Sequence, residues 1–141
     1  MKTPIHLWII GVVSLLWNAG GAFDYLMTQL GNADYLSQLT DAQRDYILSV
    51  PTWFKATWAT GVWFSVLGSV LLLFRSRLAA PAFGLSILGL AASSVYSYWL
   101  ADPSAIDLMG PVAAAMSVAI VVVLVLLWVY ARAMTRRGVL R

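Results

Sequence analysis

The chain has 141 residues (residues 1–141), which allows one domain, and 61% of them are hydrophobic while 11% are charged. This composition, with a mean hydropathy of +0.81, is far outside the range of water-soluble proteins and requires a membrane. The chain contains no cysteine and one histidine, which excludes disulfide bonds, a zinc site and bis-histidine haem ligation within the chain. The net charge of +3 comes from basic residues at the ends of apolar runs, so it indicates membrane topology rather than binding to nucleic acid.

Four apolar runs are each long enough to cross a hydrocarbon core, which takes about 20 helical residues. They cover residues 5–27, 52–74, 79–100 and 109–131. Their apolar character is continuous rather than alternating, which favours helices over barrel strands. Because the connections after the second and third runs are short, consecutive helices are expected to be antiparallel neighbours. The predicted fold is an all-α, integral membrane, antiparallel four-helix bundle surrounded by the lipid bilayer.

The basic residues lie mostly on one side of the membrane if the chain crosses it four times. Seven of the nine cations share that side: Lys2, Arg75, Arg77, Arg132, Arg136, Arg137 and Arg141. The positive-inside rule therefore predicts that both termini are cytoplasmic. A signal peptide cleaved near Ala22 is an alternative for the first run, and it would leave the orientation of the other three helices unchanged.

The loop at residues 31–50 is the largest predicted soluble segment and lies on the outer side. Thr40 followed by Gln43 fits a capping box, so a short amphipathic helix is predicted to begin at Asp41. This helix can pack as a lid on the bundle or present a surface to a partner, and the sequence leaves both alternatives open.

Small residues recur on one face of several predicted helices and mark expected helix–helix contacts. On the first three helices these residues are Gly11, Ser14, Asn18 and Gly21; Thr57, Gly61, Ser65 and Ser69; and Gly89, Ser93 and Ser97.

Residues 17–25 place an amide and a carboxylate in the first apolar run, and each of these groups predicts a partner. Asp24 and Lys55 are expected to reach similar depth on adjacent antiparallel helices and to form an ion pair or a water-bridged contact. The amide of Asn18 lies deeper and is expected to bond with a serine of the third helix, such as Ser93 or Ser94.

These polar groups have two interpretations that the sequence does not separate. They are either a structural clasp between helices or the lining of a shallow outward-facing pocket, floored by Asn18 and walled by Trp58, Tyr96 and Tyr98. The candidate residues are Asn18, Asp24, Tyr25, Lys55, Trp58, Ser94, Tyr96 and Tyr98. No catalytic triad, phosphate-binding loop, metal site or cofactor motif is recognised, so we expect no enzyme, metal or cofactor.

A pattern in the first helix resembles one in small four-helix inner-membrane proteins of proteobacteria: Trp17-Asn18-x-x-Gly21-x-x-Asp24-Tyr25. The resemblance covers most of the chain and includes Pro51-x-Trp53 and Val62-Trp63. It implies a bacterial inner-membrane protein with no established catalytic residue. Some of these proteins are labelled sugar transporters without a known mechanism.

Two functions are expected for such a protein. The first is an accessory or scaffold component that binds another membrane protein, because the chain is small and its fourth helix is apolar like lipid. The alternative is binding or transport of a small solute, such as a sugar or a lipid headgroup, through a polar pocket that faces the periplasm. A homo-oligomer formed through an unused small-residue face is also compatible with the sequence.

Overall fold

A computed structural model of the chain describes residues 3–31, 33–48, 50–100 and 105–141, and all regular secondary structure within these ranges is helical. The helices are α1 (Ile5–Gln29), α2 (Ala33–Leu36), α3 (Asp41–Leu48), α4 (Thr52–Leu73), α5 (Ala79–Val95), a π-helical turn (Tyr96–Leu100) and α6 (Ala105–Arg136). Among the described residues, three segments are long and apolar enough to cross a membrane, namely α1, α4 and the Gly110–Arg136 part of α6. Helix α5 is apolar but has only 17 residues. The predicted all-α class is confirmed.

The last two predicted helices differ from the expectation at the ends that face the connection between them. The π-helical turn continues α5 to Leu100, so the run expected at residues 79–100 is helical throughout but changes its geometry at Tyr96. Helix α6 begins at Ala105 and breaks at Gly110, whose φ of 83° and ψ of 178° are not helical. The expected connection before α6 includes residues 101–104, which lie outside the described residues.

The capping box at the start of α3 is confirmed. The backbone nitrogen of Thr40 donates to Oε1 of Gln43 at 3.1 Å, and the backbone nitrogen of Gln43 donates to Oγ1 of Thr40 at 3.2 Å. On this helix Tyr46 stacks on Tyr96 of the π-helical turn, with ring centroids 6.5 Å apart. This contact lays α3 against one end of the bundle, as a lid does.

Helices α4 and α5 approach each other closely because glycines lie where they cross. A Cβ atom built on Gly89 would lie 2.6 Å from the backbone oxygen of Thr57 and 2.7 Å from the backbone nitrogen of Gly61. The hydroxyl of Ser86 donates to the backbone oxygen of Gly61 at 2.5 Å. In a membrane, where apolar side chains gain little by leaving lipid, such backbone contact is a main source of helix association.

The long helices pack in chain order, with α1 against α4, α4 against α5, and α5 against α6. The outermost two, α1 and α6, meet where Nδ1 of His6 lies 2.5 Å from the hydroxyl of Tyr130. The buried core is concentrated at this same end and consists of Leu7, Leu72, Ala79, Ala80, Phe83, Leu124, Leu127, Ala131, Met134, Val139 and Leu140. We call it the closed end of the bundle.

The segment after α6 belongs to the closed end as well. Gly138, with a φ of 75°, ends α6 in a Schellman motif in which Val139 bonds back to Met134. The backbone nitrogen of Arg141 then donates to the backbone oxygen of Arg75 at 2.9 Å, and the backbone nitrogen of Arg77 donates to the backbone oxygen of Arg141 at 3.1 Å. These bonds tie the end of α6 to the turn between α4 and α5.

Candidate functional site

A buried polar network joins α1 to α4 around Asn18. Its Nδ2 atom donates to the backbone oxygen of Ser65 at 3.1 Å and to Oγ of Ser69 at 2.9 Å. The hydroxyl of Ser69 also lies 2.9 Å from the hydroxyl of Ser14. The sequence-based expectation that Asn18 bonds with Ser93 or Ser94 of the third helix is therefore wrong, because its amide is directed toward α4.

The orientation of this amide leaves an acceptor without a partner. A carbonyl oxygen only accepts hydrogen bonds, so the contact with Ser65 requires the NH₂ group of Asn18 to be on that side. No described residue donates to Oδ1 of Asn18. Asn18 is 6% exposed and lines a cavity, so its side chain presents a hydrogen-bond acceptor to that cavity.

The cavity has a volume of about 440 Å³ and lies between α1 and α6. Its floor is formed by α4, with Trp58, Val62 and Ser65, and by Leu90 of α5. Helix α6 contributes three apolar side chains, Met116, Ile120 and Leu124. None of the described residues that line the cavity is charged.

The rim of the cavity is exposed on the α1 side. Leu16 and Trp17 are 70% and 44% exposed, and Gly20 and Gly21 follow them along the helix. A Cβ atom built on either glycine would meet no atom within 4 Å. By contrast, the space beside Gly11 on the same helix is occupied by the side chain of Leu73. Gly21 was expected in an internal contact, and the structure places it at this open rim instead.

The expected ion pair between Asp24 and Lys55 is not formed. Asp24 accepts a hydrogen bond from the hydroxyl of Tyr35 on α2, and the ion pair found among the described residues joins Arg44 to Asp41. The physical reason is helix register: the bonds from Asn18 set α1 against α4 so that Lys55 lies about one helical turn, or ~5 Å, beyond the level of Asp24.

The aromatic candidates divide between two places. Trp58 lines the cavity, and Tyr25 packs edge-on against it with ring centroids 4.9 Å apart. Tyr96 does not line this cavity and belongs to a separate cluster with Tyr46, Trp53 and Phe54, so its place in the wall of an outward-facing pocket stays a prediction. Ser94 is half-buried and also lies outside the cavity lining, and the side chain of Tyr98 lies outside the described residues.

Sequence reasoning missed the contribution of α6. Met116 and Ile120 lie in a uniformly apolar run, and nothing in that run distinguishes a residue that lines a cavity from one that faces lipid. Ser65 was recognised as a small packing residue, and its spacing of four from Ser69 was the available signal for the polar network with Asn18.

The fold and this cavity define an all-helical protein with apolar helices suited to a membrane. Among the residues that the structure describes, no group of three histidine, cysteine or acidic side chains comes together to hold a metal ion. No protein family model matches the chain, and no curated protein or solved structure matches it. The resemblance to small proteobacterial inner-membrane proteins therefore stays a prediction.

Proposed function

We propose that this chain is an integral protein of a bacterial inner membrane that binds a small, uncharged, lipid-soluble molecule in the cavity between α1 and α6. The observation that carries the proposal is that Asn18, whose Oδ1 atom accepts no hydrogen bond from a described residue, lines a cavity of about 440 Å³. Ligand sites are typically about 300–1,000 Å³, mostly apolar, with a few polar groups that orient the ligand.

The proposed topology has four membrane-spanning helices and both termini in the cytoplasm. Helix α5 and the π-helical turn together cover residues 79–100, as many residues as α4, which supports a fourth crossing. The turn between α4 and α5 and the end of α6 carry six of the described cations, which supports a cytoplasmic position for the closed end. With this orientation the cavity lies near mid-depth in the membrane and opens sideways to lipid.

The lining determines the chemistry of the ligand. A charged group would be costly in this uncharged cavity, by about 2.5–3.5 kcal/mol or more at the centre of a membrane helix. The free acceptor of Asn18 requires a donor, so the ligand carries a hydroxyl or N–H group on an otherwise apolar body. This differs from the sugar-like or headgroup ligand expected from sequence, because the described lining of the cavity is mostly apolar and, in the proposed topology, opens to lipid.

The test is native mass spectrometry of the protein purified in mild detergent from its own host. Replacing Gly21 with Leu places a side chain in the cavity without an internal clash, since a Cβ atom there meets no neighbour. Ala19→Leu is the matched control, because Ala19 is an exposed residue of the same helix that does not line the cavity. A small molecule retained by the wild type and the control but lost in Gly21→Leu supports the proposal, and a wild type that retains none contradicts it.

A second function, an accessory protein that binds another membrane protein, is favoured by a specific observation. Gly20 and Gly21 expose helix backbone beside an open cleft, and small residues with an amide nearby are typical of contacts between transmembrane helices. The same experiment separates the two functions by the mass of the retained species. A polypeptide at fixed stoichiometry that Gly21→Leu releases would identify an accessory protein, and a second copy of this chain would identify a homo-oligomer.

A further inference from the structure

A second concave site lies at the closed end, where the start of α5 meets the end of α6. It is a groove of about 390 Å³, and three of the residues that line it are arginines: Arg77, Arg132 and Arg136. The rest of the lining comes from Thr135 and from Leu78, Ala80 and Pro81 around the first turn of α5. The groove therefore combines three cations with an apolar wall.

These cations have no acidic side-chain partner in the part of the chain that the structure describes. All the acids of the chain are aspartates, at positions 24, 34, 41, 45, 102 and 107, so residues 46–101 and 108–141 contain none. None of the three groove arginines forms an ion pair with a described residue. No described acidic side chain therefore offsets the positive charge at the groove.

The arrangement of the side chains is suited to an anion at the membrane surface. Arg132 lies over the ring of Trp128 at 4.8 Å, which holds its guanidinium group at the end of the apolar part of α6. Arg136 follows one helical turn later on the same face. By contrast, Nε of Arg75 donates to the backbone oxygen of Val139 at 3.3 Å, and Arg75 does not line the groove.

We propose that this groove binds the headgroup phosphate of an anionic phospholipid from the cytoplasmic leaflet. Guanidinium groups bind phosphate through paired hydrogen bonds, and basic pockets between membrane helices on the cytoplasmic side are typical sites for anionic lipids. The first turn of α5 adds its partial positive charge to the groove. Leu78, Ala80 and Pro81 form the wall along which an acyl chain lies. This inference rests on the proposed cytoplasmic position of the closed end.

The positive-inside rule alone treats all cytoplasmic arginines as equivalent, whereas a lipid site requires the groove arginines in particular. The experiment compares arginines inside the groove with one outside it. The protein is reconstituted with mixtures of phosphatidylglycerol and phosphatidylcholine, and retained lipid is measured by native mass spectrometry. The double variant Arg132→Gln and Arg136→Gln is expected to lower retention of phosphatidylglycerol about thirtyfold. The control is Arg137→Gln, which removes one charge beside Arg136 but not from the groove, and it is expected to stay within about twofold of wild type.

A second double variant separates loss of the binding site from misfolding. Arg132→Lys with Arg136→Lys keeps both charges but loses the planar donor pairs, so an intermediate loss of phosphatidylglycerol is expected. Equal loss in the groove variants and in Arg137→Gln would overturn the proposal, since only bulk charge would then matter. Release of the lipid by millimolar inorganic phosphate would identify a soluble anion as the occupant and would also overturn it. Retention of the proposed ligand between α1 and α6 is measured in the same spectra, so failure at either site is seen separately.

Discussion

The side-chain nitrogen of Asn18 and the backbone oxygen of Ser65 lie 3.1 Å apart, and this bond fixes the register of α1 on α4. Its neighbours follow the same register: Ser14 meets Ser69 at 2.9 Å, and Tyr25 meets Trp58 with ring centroids 4.9 Å apart. Polar contacts therefore determine which residues of two apolar helices lie side by side. The same bond occupies Nδ2 and leaves Oδ1 of Asn18 without a donor among the described residues, so the side chain that fixes the register is also the one proposed to bind the ligand.

Replacing Asn18 with Leu is expected to lower the free energy of unfolding by about 1–2 kcal/mol, since interhelical hydrogen bonds in membranes are each worth about 0.6 kcal/mol and at most about 1.7. The measurement is unfolding by SDS titration in mixed micelles. Ser94→Ala is the control and is expected to leave stability unchanged, because the structure gives Ser94 no bond to Asn18. A larger loss in Ser94→Ala than in Asn18→Leu would contradict the observed register.

The helices and the capping box could be predicted because they depend on local sequence. The runs at residues 5–27 and 52–74 match α1 and α4 within two residues at each end, and the Thr40 and Gln43 pattern uses atoms only three residues apart. The partner of Asn18 could not be predicted because it depends on the rotation of α1 about its axis. Serines lie at similar depth on both α4 and α5, and sequence spacing does not decide which helix the amide faces.

Tyr35 is expected to be energetically coupled to Asp24, whereas Lys55 is not. Asp24 accepts the hydroxyl of Tyr35 but is exposed, so a double-mutant cycle of Asp24→Ala with Tyr35→Phe should give a coupling of about 0.5 kcal/mol. The parallel cycle of Asp24→Ala with Lys55→Met is expected to be additive within about 0.3–0.5 kcal/mol. Both cycles are measured by chemical unfolding. Coupling only in the second cycle would restore the ion pair that the sequence suggested.

Gly89→Ala is expected to destabilise the bundle by about 1–3 kcal/mol, because the new methyl group would overlap the backbone of α4. Its Cβ atom would lie 2.6 Å from the backbone oxygen of Thr57, which cannot move away as a flexible side chain can. Gly84→Ala on the same helix is the matched control, since its Cβ atom would meet Trp128 at 3.5 Å, an ordinary contact. Helix propensity should make the control neutral or more stable by up to about 1 kcal/mol. Thermal unfolding in detergent measures both variants, and equal effects would refute close backbone packing at Gly89.

The cavity itself could not be predicted because it results from the divergence of α1 and α6 away from the closed end. Leu7, which is fully buried, and His6 hold the start of α1 against the rest of the bundle. Further along α1, exposed Leu16 and the open space beside Gly20 show that none of the described helices covers this face. The sequence identifies these as apolar or small residues, but the space beside them depends on the angle between two helices that are distant in sequence.

The contact between His6 and Tyr130 is expected to hold α1 against α6 at the closed end. Tyr130→Phe retains the ring, which packs edge-on against His6 with centroids 5.6 Å apart, but it removes the hydroxyl that lies 2.5 Å from Nδ1. Loss of one such hydrogen bond costs about 1 kcal/mol, which raises the population with α1 and α6 apart about fivefold.

The chain has no cysteine, so spin labels can be placed on introduced cysteines at Ile9 and Val129 without removing native ones. Both positions are exposed, at 56% and 51%. Pulsed electron paramagnetic resonance is expected to give a longer and broader distance distribution for Tyr130→Phe than for the wild type. Tyr96→Phe makes the same chemical change in the separate aromatic cluster and should leave the distribution unchanged. An unchanged distribution in Tyr130→Phe would mean that the buried core around Leu7 alone holds α1 to α6.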